Sequence, residues 1–297
     1  MNNQSLTLDN SAFNLLYCPR RFQLAIIQGL RGADSSTAGF GNAFHTAVEV
    51  LDKTSDVNTA FAAVLDKGMK CDELKLIEAL TALKFTIRLP PALVMSDEKP
   101  GIEVKFKYFY TTTITPFGNL DIYLAGTLDR CHISEDGYLE FVDYKTASDF
   151  KPISQQTKIE EYENSFQLPF YVYSAVKSGI LPLHAIELYN TGRYRTKYIF
   201  IFYSNQPCRI VQQEFEAYKS DFFEGRFKTT LEHHVKSAVN IWSESQSNIT
   251  SPYSGMNTYK GCVYCPYRPG CVTKNTEQEE LFLSRFPRIS YDPLTFR

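Results

Sequence analysis

LEFVDYKT, residues 139–146, puts a carboxylate and an ammonium two residues apart on what reads as a β-strand. Phe141 and Val142 favour extended backbone, and Glu135-Asp136-Gly137 before them is a turn signal. Side chains alternate along a strand, so Asp143 and Lys145 share one face and Tyr144 takes the other. A buried core strand has no packing reason to carry both charges. A metal site has one: the carboxylate holds a divalent cation, and the lysine sits beside an attacking water or a developing phosphate charge.

Upstream, Leu120 to Ile133 reads as the strand before the turn, so the two strands pair antiparallel. The hairpin brings Asp129 near Asp143, and two carboxylates facing each other in a β core are costly unless a cation bridges them. Ile102 to Tyr110 is a further strand, with Glu103, Lys105 and Lys107 on one face that reads as solvated. Before it come helices over 57–69 and 72–88, closed by Pro90-Pro91, and a helix over Ala43 to Leu51 carrying His45 and Glu49 on one face. Residues 31–41 read as a Gly/Ser/Ala-rich loop, and 1–10 as polar and loose. Leu8 to Leu30 reads as a helix capped by Asp9, Asn10 or Ser11 and containing Pro19.

Downstream, residues 147–162 read as a polar connector. Asn164 to Ser178 reads as a helix with Gln167 and Tyr171 four apart on one face. His184 to Thr191 and Thr196 to Ser204 read as a strand hairpin around Gly192-Arg193-Tyr194-Arg195, and Gln212 to Gln246 as one amphipathic helix. His233 and His234 on it take no role. The final residues, 272–297, form a tail outside these patterns.

The chain has 297 residues, 43% hydrophobic and 14% aromatic, enough for a sizeable core, and a net charge of −2. That balance excludes a protein that coats nucleic acid with a basic surface. A bound metal and local lysines can still hold a phosphate. The N-terminus is polar, with no apolar signal segment, and no apolar run approaches membrane-spanning length. Seven cysteines, an odd number without a secretion signal, point to a reducing cytoplasm and to ligation over disulfides. Cys262-x2-Cys265-x5-Cys271, with Gly and Pro between, is a metal or cluster knuckle. Three thiolates need a fourth for a tetrahedral zinc or a four-iron cluster, from Cys18, Cys71, Cys131 or Cys208.

Six motifs then stand in order: Tyr17-Cys18-Pro19-Arg20-Arg21-Phe22, Gly41-Asn42-Ala43-Phe44-His45, Gly126-Thr127-Leu128-Asp129-Arg130, Val142-Asp143-Tyr144-Lys145-Thr146, Gln167-x3-Tyr171 and the cysteine trio. Their order resembles the RecB-like PD-(D/E)XK nucleases, which include the RecB and AddB nuclease domains and the CRISPR-associated RecB-like exonucleases of iron–sulfur type. The resemblance implies an α/β restriction-endonuclease-like core, a central mixed sheet flanked by helices, with N- and C-terminal helical parts joined by an iron–sulfur cluster. It implies a single nuclease domain over residues 1–271. Within it, residues 1–100 are helical, 101–205 form the nuclease core, and 206–271 supply a C-terminal helix and the cysteine loop. The implied activity is a Mg²⁺- or Mn²⁺-dependent DNA exonuclease, with endonuclease activity as a variant, acting in DNA repair, recombination or phage DNA processing. The alternative is a nuclease-fold DNA-binding or assembly subunit with little catalysis.

By the same resemblance, His45, Asp129, Asp143 and the backbone carbonyl of Tyr144 hold the metal. Lys145 positions or activates the water, and Gln167 and Tyr171 orient substrate and lysine. Cys18 joins Cys262, Cys265 and Cys271 around a [4Fe-4S] cluster, with Zn²⁺ as the alternative. The implied partner is DNA, single-stranded or with a free end. The chain has no Walker A pattern, so a helicase or another replication or recombination protein would supply the motor. Gln278-Glu279-Glu280-Leu281-Phe282 is similar to peptides that sliding clamps bind.

Overall fold

The computed structural model describes residues 4–30, 36–148, 151–163, 165–204, 207–218, 222–247, 265–272 and 276–294. Its strands are β1 (Gln4–Leu8), β2 (Ile102–Thr115), β3 (Gly118–Ile133), β4 (Leu139–Ala147), β5 (Tyr194–Phe202) and β6 (Arg209–Glu216). Its helices are α1 (Asn10–Leu15), α2 (Pro19–Phe22), α3 (Ser36–Thr54), α4 (Val57–Asp66), α5 (Glu73–Thr86), α6 (Pro152–Glu163), α7 (Gln167–Lys177) and α8 (Leu183–Asn190). They continue as α9 (Lys228–Ser247), α10 (Arg268–Val272) and α11 (Thr276–Leu283). Two compact units divide the chain. One is Asp34–Phe106 with Thr127–Ser220; the other is Met1–Ala33, Lys107–Gly126 and Asp221–Arg297.

In the first unit the sheet is mixed. β3 pairs antiparallel with β4, β4 parallel with β5, and β5 antiparallel with β6. A parallel neighbour needs a crossover connection, and the chain between β4 and β5 spends it on α6, α7 and α8. Strand alternation then fills both faces of the sheet. Val142 and Tyr144 of β4, with Ile199 and Ile201 of β5, meet Phe44, Ala47 and Leu51 of α3, Val64 of α4 and Leu80 of α5. On the opposite face Ala147, Phe200 and Phe202 meet Ile159 of α6 and Leu168 of α7. Val142, Ile199 and Ile201 are fully buried, and burial of each is worth roughly 1.5–3 kcal/mol. Because the sheet is covered on both sides, the charges of Asp143 and Lys145 are themselves largely buried.

The second unit pairs β1 parallel with the first half of β3, from Gln4↔Leu120 to Leu8↔Leu124. β2 turns back onto β3 through residues 116–117. Asp9 caps α1, its carboxylate accepting the Ala12 amide at 2.7 Å. The π-helical turn Gln23–Ile27 packs on α9. Residues 288–289 run back beside Gly29 and Leu30, where Ile289 donates its amide hydrogen to the Gly29 carbonyl at 2.8 Å.

The order α3, β2, β3, β4, α7, β5 is the expected helix–strand–strand–strand–helix–strand series. Several segments differ from the sequence reading. Residues 4–8 are a strand, because Leu6 and Leu8 alternate inward against β3 despite polar flanks. Residues 36–41 already belong to α3; 31–35 lie outside the described residues. The connector 152–163 is helix α6, whose buried residues are Ile159 and Gln155, too few to make a pattern. Residues 184–191 are not a strand. Pro182 and Gly192 (φ +72°) bracket them as helix α8, and an eight-residue run fits either period. The helix expected from Gln212 starts later: Arg209–Glu216 is β6, with Val211 and Phe215 inward against β5, and among the described residues the helical run starts at Phe222, where the π-helical turn Phe223–Phe227 leads into α9.

Candidate metal centre

Three donors converge in the first unit: His45 from α3, Glu103 from β2 and Asp129 from β3. One ligand atom of each lies within 4.8 Å of the others, the one such group of three among the described residues. His45 Nδ1 is 3.4 Å from Glu103 Oε1 and 3.5 Å from Asp129 Oδ2. Phe44, beside His45, sets its ring edge-on to Tyr144 at 6.4 Å and so ties this turn of α3 to β4.

Asp129 is held by backbone. The β3–β4 ladder runs from Ile133↔Leu139 to Arg130↔Val142. One residue further, the Asp129 carboxylate accepts the Tyr144 amide hydrogen at 2.8 Å. Glu103 is held by strain: its φ is +50°, in the left-handed region where a side chain with a Cβ costs about 1–2 kcal/mol. The strained residue is the one whose carboxylate meets His45, while Lys105 and Lys107 beyond it are exposed.

Asp143 lies beside this group, 1% exposed, with both oxygens engaged. Oδ2 is 2.6 Å from Lys145 Nζ, and Oδ1 accepts from Gln167 Nε2 at 3.0 Å. Gln167 Nε2 also donates to the Tyr171 hydroxyl at 3.1 Å, as two residues four apart on α7 allow. Burial pushes Asp143 up to about 6; Lys145 opposes this and the charge of Asp129 adds to it. Burial works against the Lys145 ammonium, but Asp143 next to it turns the balance and holds its pKa above the ordinary lysine value. The Lys145 ammonium also lies 5.3 Å from the ring centre of Tyr162 on α6.

Of the expected site residues, His45 and Asp129 meet in one cluster, and Asp143, Lys145, Gln167 and Tyr171 in an adjoining one. Asp143 is outside the group of three, although it feels the charges of Asp129 and His45. Glu103, read as part of a solvated face, belongs to the cluster; only its left-handed backbone distinguishes it. Tyr162 falls in the segment read as a connector.

The cysteines separate by unit. Cys18, Cys265 and Cys271 belong to one unit; Cys71, Cys131 and Cys208 belong to the other. Burial pushes the Cys271 thiol up to about 11, against the pull of Arg20, and nearby Cys265, Glu279 and Cys18 add to the rise. Arg20 of α2 forms an ion pair with Glu279 of α11 there. Cys262 lies outside the described residues.

The model of the PD-(D/E)XK nuclease superfamily matches residues 11–272. The chain belongs to this superfamily. PD-(D/E)XK nucleases use divalent metals and act on nucleic acid, and the cluster of one imidazole and two carboxylates is a donor set of that kind. No curated protein matches the sequence. The solved structure described as "Crystal structure of SSO0001" aligns over 90% of this chain and 86% of its own, at 11% identity and a TM-score of 0.32. Among the described residues of this PD-(D/E)XK chain, no helix is long and apolar enough to cross a membrane.

Proposed function

We propose that this PD-(D/E)XK protein is a RecB-like, Mg²⁺- or Mn²⁺-dependent deoxyribonuclease that degrades DNA from a free end in repair, recombination or phage DNA processing. The observation that carries the reading is the cluster of His45, Glu103 and Asp129 beside the buried Asp143–Lys145 pair. His45, Asp129 and Asp143, with the Tyr144 carbonyl and with Glu103 as an added donor, hold the cation. When bound, a hard divalent cation polarises a phosphodiester oxygen and lowers the pKa of water. The rest falls to the chain. Lys145, kept charged by Asp143, stands where it can hold the attacking water and face the developing phosphate charge. Gln167 fixes the Asp143 carboxylate from one side, and Tyr171 fixes Gln167. Burial keeps bulk water from weakening these contacts.

Cys18, Cys262, Cys265 and Cys271 are proposed as the ligands of a [4Fe-4S] cluster, or of Zn²⁺. Cys18 and Cys265 both lie near enough to act on the Cys271 thiol, which supports the set, and the other three cysteines belong to the other unit. Its role would be structural, closing a long loop between α2 and α10.

The test uses protein purified without oxygen and incubated with linear single-stranded, linear duplex and closed circular DNA, in Mg²⁺, Mn²⁺ or EDTA, beside Asp143→Ala. Metal-dependent loss of linear DNA, absent from the variant and absent with circles, is the expected result. Cutting of circles makes the enzyme an endonuclease. No cleavage of any substrate overturns the nuclease reading in favour of a binding subunit. Absorbance near ~400 nm separates iron–sulfur from colourless zinc.

A further inference from the structure

A second polar site lies in the unit built from β1, the first half of β3 and the C-terminal elements. A groove of about 570 Å³ is lined by Thr7 of β1, Lys107 of β2, Trp242 of α9, and Arg288 and Ser290 of the C-terminal segment. None of these residues belongs to the metal centre. Thr7 pairs in register with Tyr123 of β3, so the two side chains share one face of the sheet. Lys107 lies on that face too, its ammonium 5.1 Å from the centre of the Tyr123 ring. Phe109, two residues along β2, meets the same ring edge-on at 5.8 Å and is 52% exposed. The groove therefore opens directly onto an aromatic platform.

The charges have a direction. Lys107 and Arg288 are both exposed, and neither pairs with a carboxylate among the described residues. Asp292, which also lines the groove, accepts the Leu294 amide hydrogen at 3.0 Å. The chain as a whole carries −2, so two unneutralised cations beside hydroxyls and the exposed Phe109 ring form a local feature. Two cations lining one groove with flat rings beside them match a nucleic-acid strand whose bases are unstacked, since every base has a face to offer. Duplex bases are already stacked on one another and give the rings nothing to hold.

We infer that this groove and the Lys107–Phe109–Tyr123 face bind single-stranded DNA, with phosphates at Lys107 and Arg288 and a base on Phe109. The inference rests on the nuclease reading for its ligand and names a holding site outside the catalytic residues.

The experiment measures anisotropy of a fluorescent 20-nucleotide strand on the whole protein in EDTA, where no cutting occurs, across a salt series. Lys107→Ala/Arg288→Ala should weaken binding at least about tenfold and reduce the slope of log affinity against log salt by about 1.4, near 0.7 per phosphate lost. Lys107→Arg should restore most of the loss attributable to that position. Phe109→Ala should weaken strand binding at least about fivefold and leave duplex binding unchanged. Equal strand affinity of parent and variants overturns the inference, as does a change in oligomeric state in place of binding. A parent that cleaves while its variants bind normally sinks the groove alone. A parent that binds through Lys107 and Arg288 without cleaving sinks the nuclease reading and leaves the groove standing.

Discussion

The Asp129 carboxylate takes the amide hydrogen of Tyr144 at 2.8 Å, one residue beyond the last ladder pair of β3 and β4. A side chain here does the work of a strand's carbonyl, so the sheet itself aims the metal-binding carboxylate at His45. Asp129→Ala removes both functions. Manganese affinity, read by calorimetry, should fall at least about 100-fold, as loss of groups that merely support ligands already costs about 10–100-fold. The orphaned Tyr144 amide should cost about 1–3 kcal/mol in chemical denaturation.

Glu103 separates stability from metal binding in the opposite sense. Its φ of +50° suits glycine and strains any residue with a Cβ. Glu103→Gly and Glu103→Ala should both lose metal affinity, yet the glycine variant should be more stable than the alanine variant by about 1–2 kcal/mol. Urea denaturation of the two in EDTA decides it. Equal stability would mean the backbone relaxes without its carboxylate.

Most of the architecture follows from period and punctuation. The alternation of LEFVDYKT, the Glu135-Asp136-Gly137 turn and the four-residue spacing of Gln167 and Tyr171 are local, so β4, its hairpin with β3 and the face of α7 are legible in the residues that form them. Glu103 was not legible, because its left-handed backbone and its contact with His45 from another element are announced by nothing in Ile102-Glu103-Val104. α6 and α8 were hidden for another reason. Each has few buried positions, and Tyr162 gains its place beside Lys145 only through packing on Tyr198 and Phe200 of β5.

Glu140 of β4 predicts a pH dependence of stability. It is 3% exposed and accepts a hydrogen bond from Lys197 at 2.8 Å, with His132 Nε2 at 3.0 Å and Arg195 at 3.8 Å. Burial acts to raise its pKa, but the contacts with His132 and Lys197 prevail and pull it down from 4.5 to about 2. A depressed carboxyl stabilises the fold above its unfolded pKa, and that contribution fades as pH falls from about 4.5 toward 2. Its ceiling is about 3 kcal/mol. Glu140→Gln should lose part of that ceiling at pH 7, about 1–3 kcal/mol, because Lys197 gives up its buried partner and keeps only the more exposed Glu214 at 3.2 Å. Its stability should then fall less steeply with acid than the parent's. Denaturation at pH 7, 4 and 3 tests both points, and parallel curves would remove Glu140 as the source.

Gly29 controls the C-terminal segment that brings Arg288 to the groove. Its φ is +63°, and a Cβ there would stand 2.2 Å from the Ile289 carbonyl oxygen. No rotation of a side chain relieves that contact, because the Cβ position is fixed by the backbone and its neighbour is a backbone carbonyl. Gly29→Ala should therefore displace residues 288–289 from their bridge with Gly29 and Leu30, at a cost of at least about 1–2 kcal/mol from the backbone strain alone. Limited proteolysis should cut the segment after Arg288 faster in the variant than in the parent. Single-strand affinity should fall toward that of Arg288→Ala, while calorimetric metal binding stays at the parent value, since His45, Glu103 and Asp129 belong to the other unit. An uncut segment with unchanged strand affinity would mean that the chain accommodates the methyl group by moving elsewhere and that Gly29 does not hold Arg288 in place.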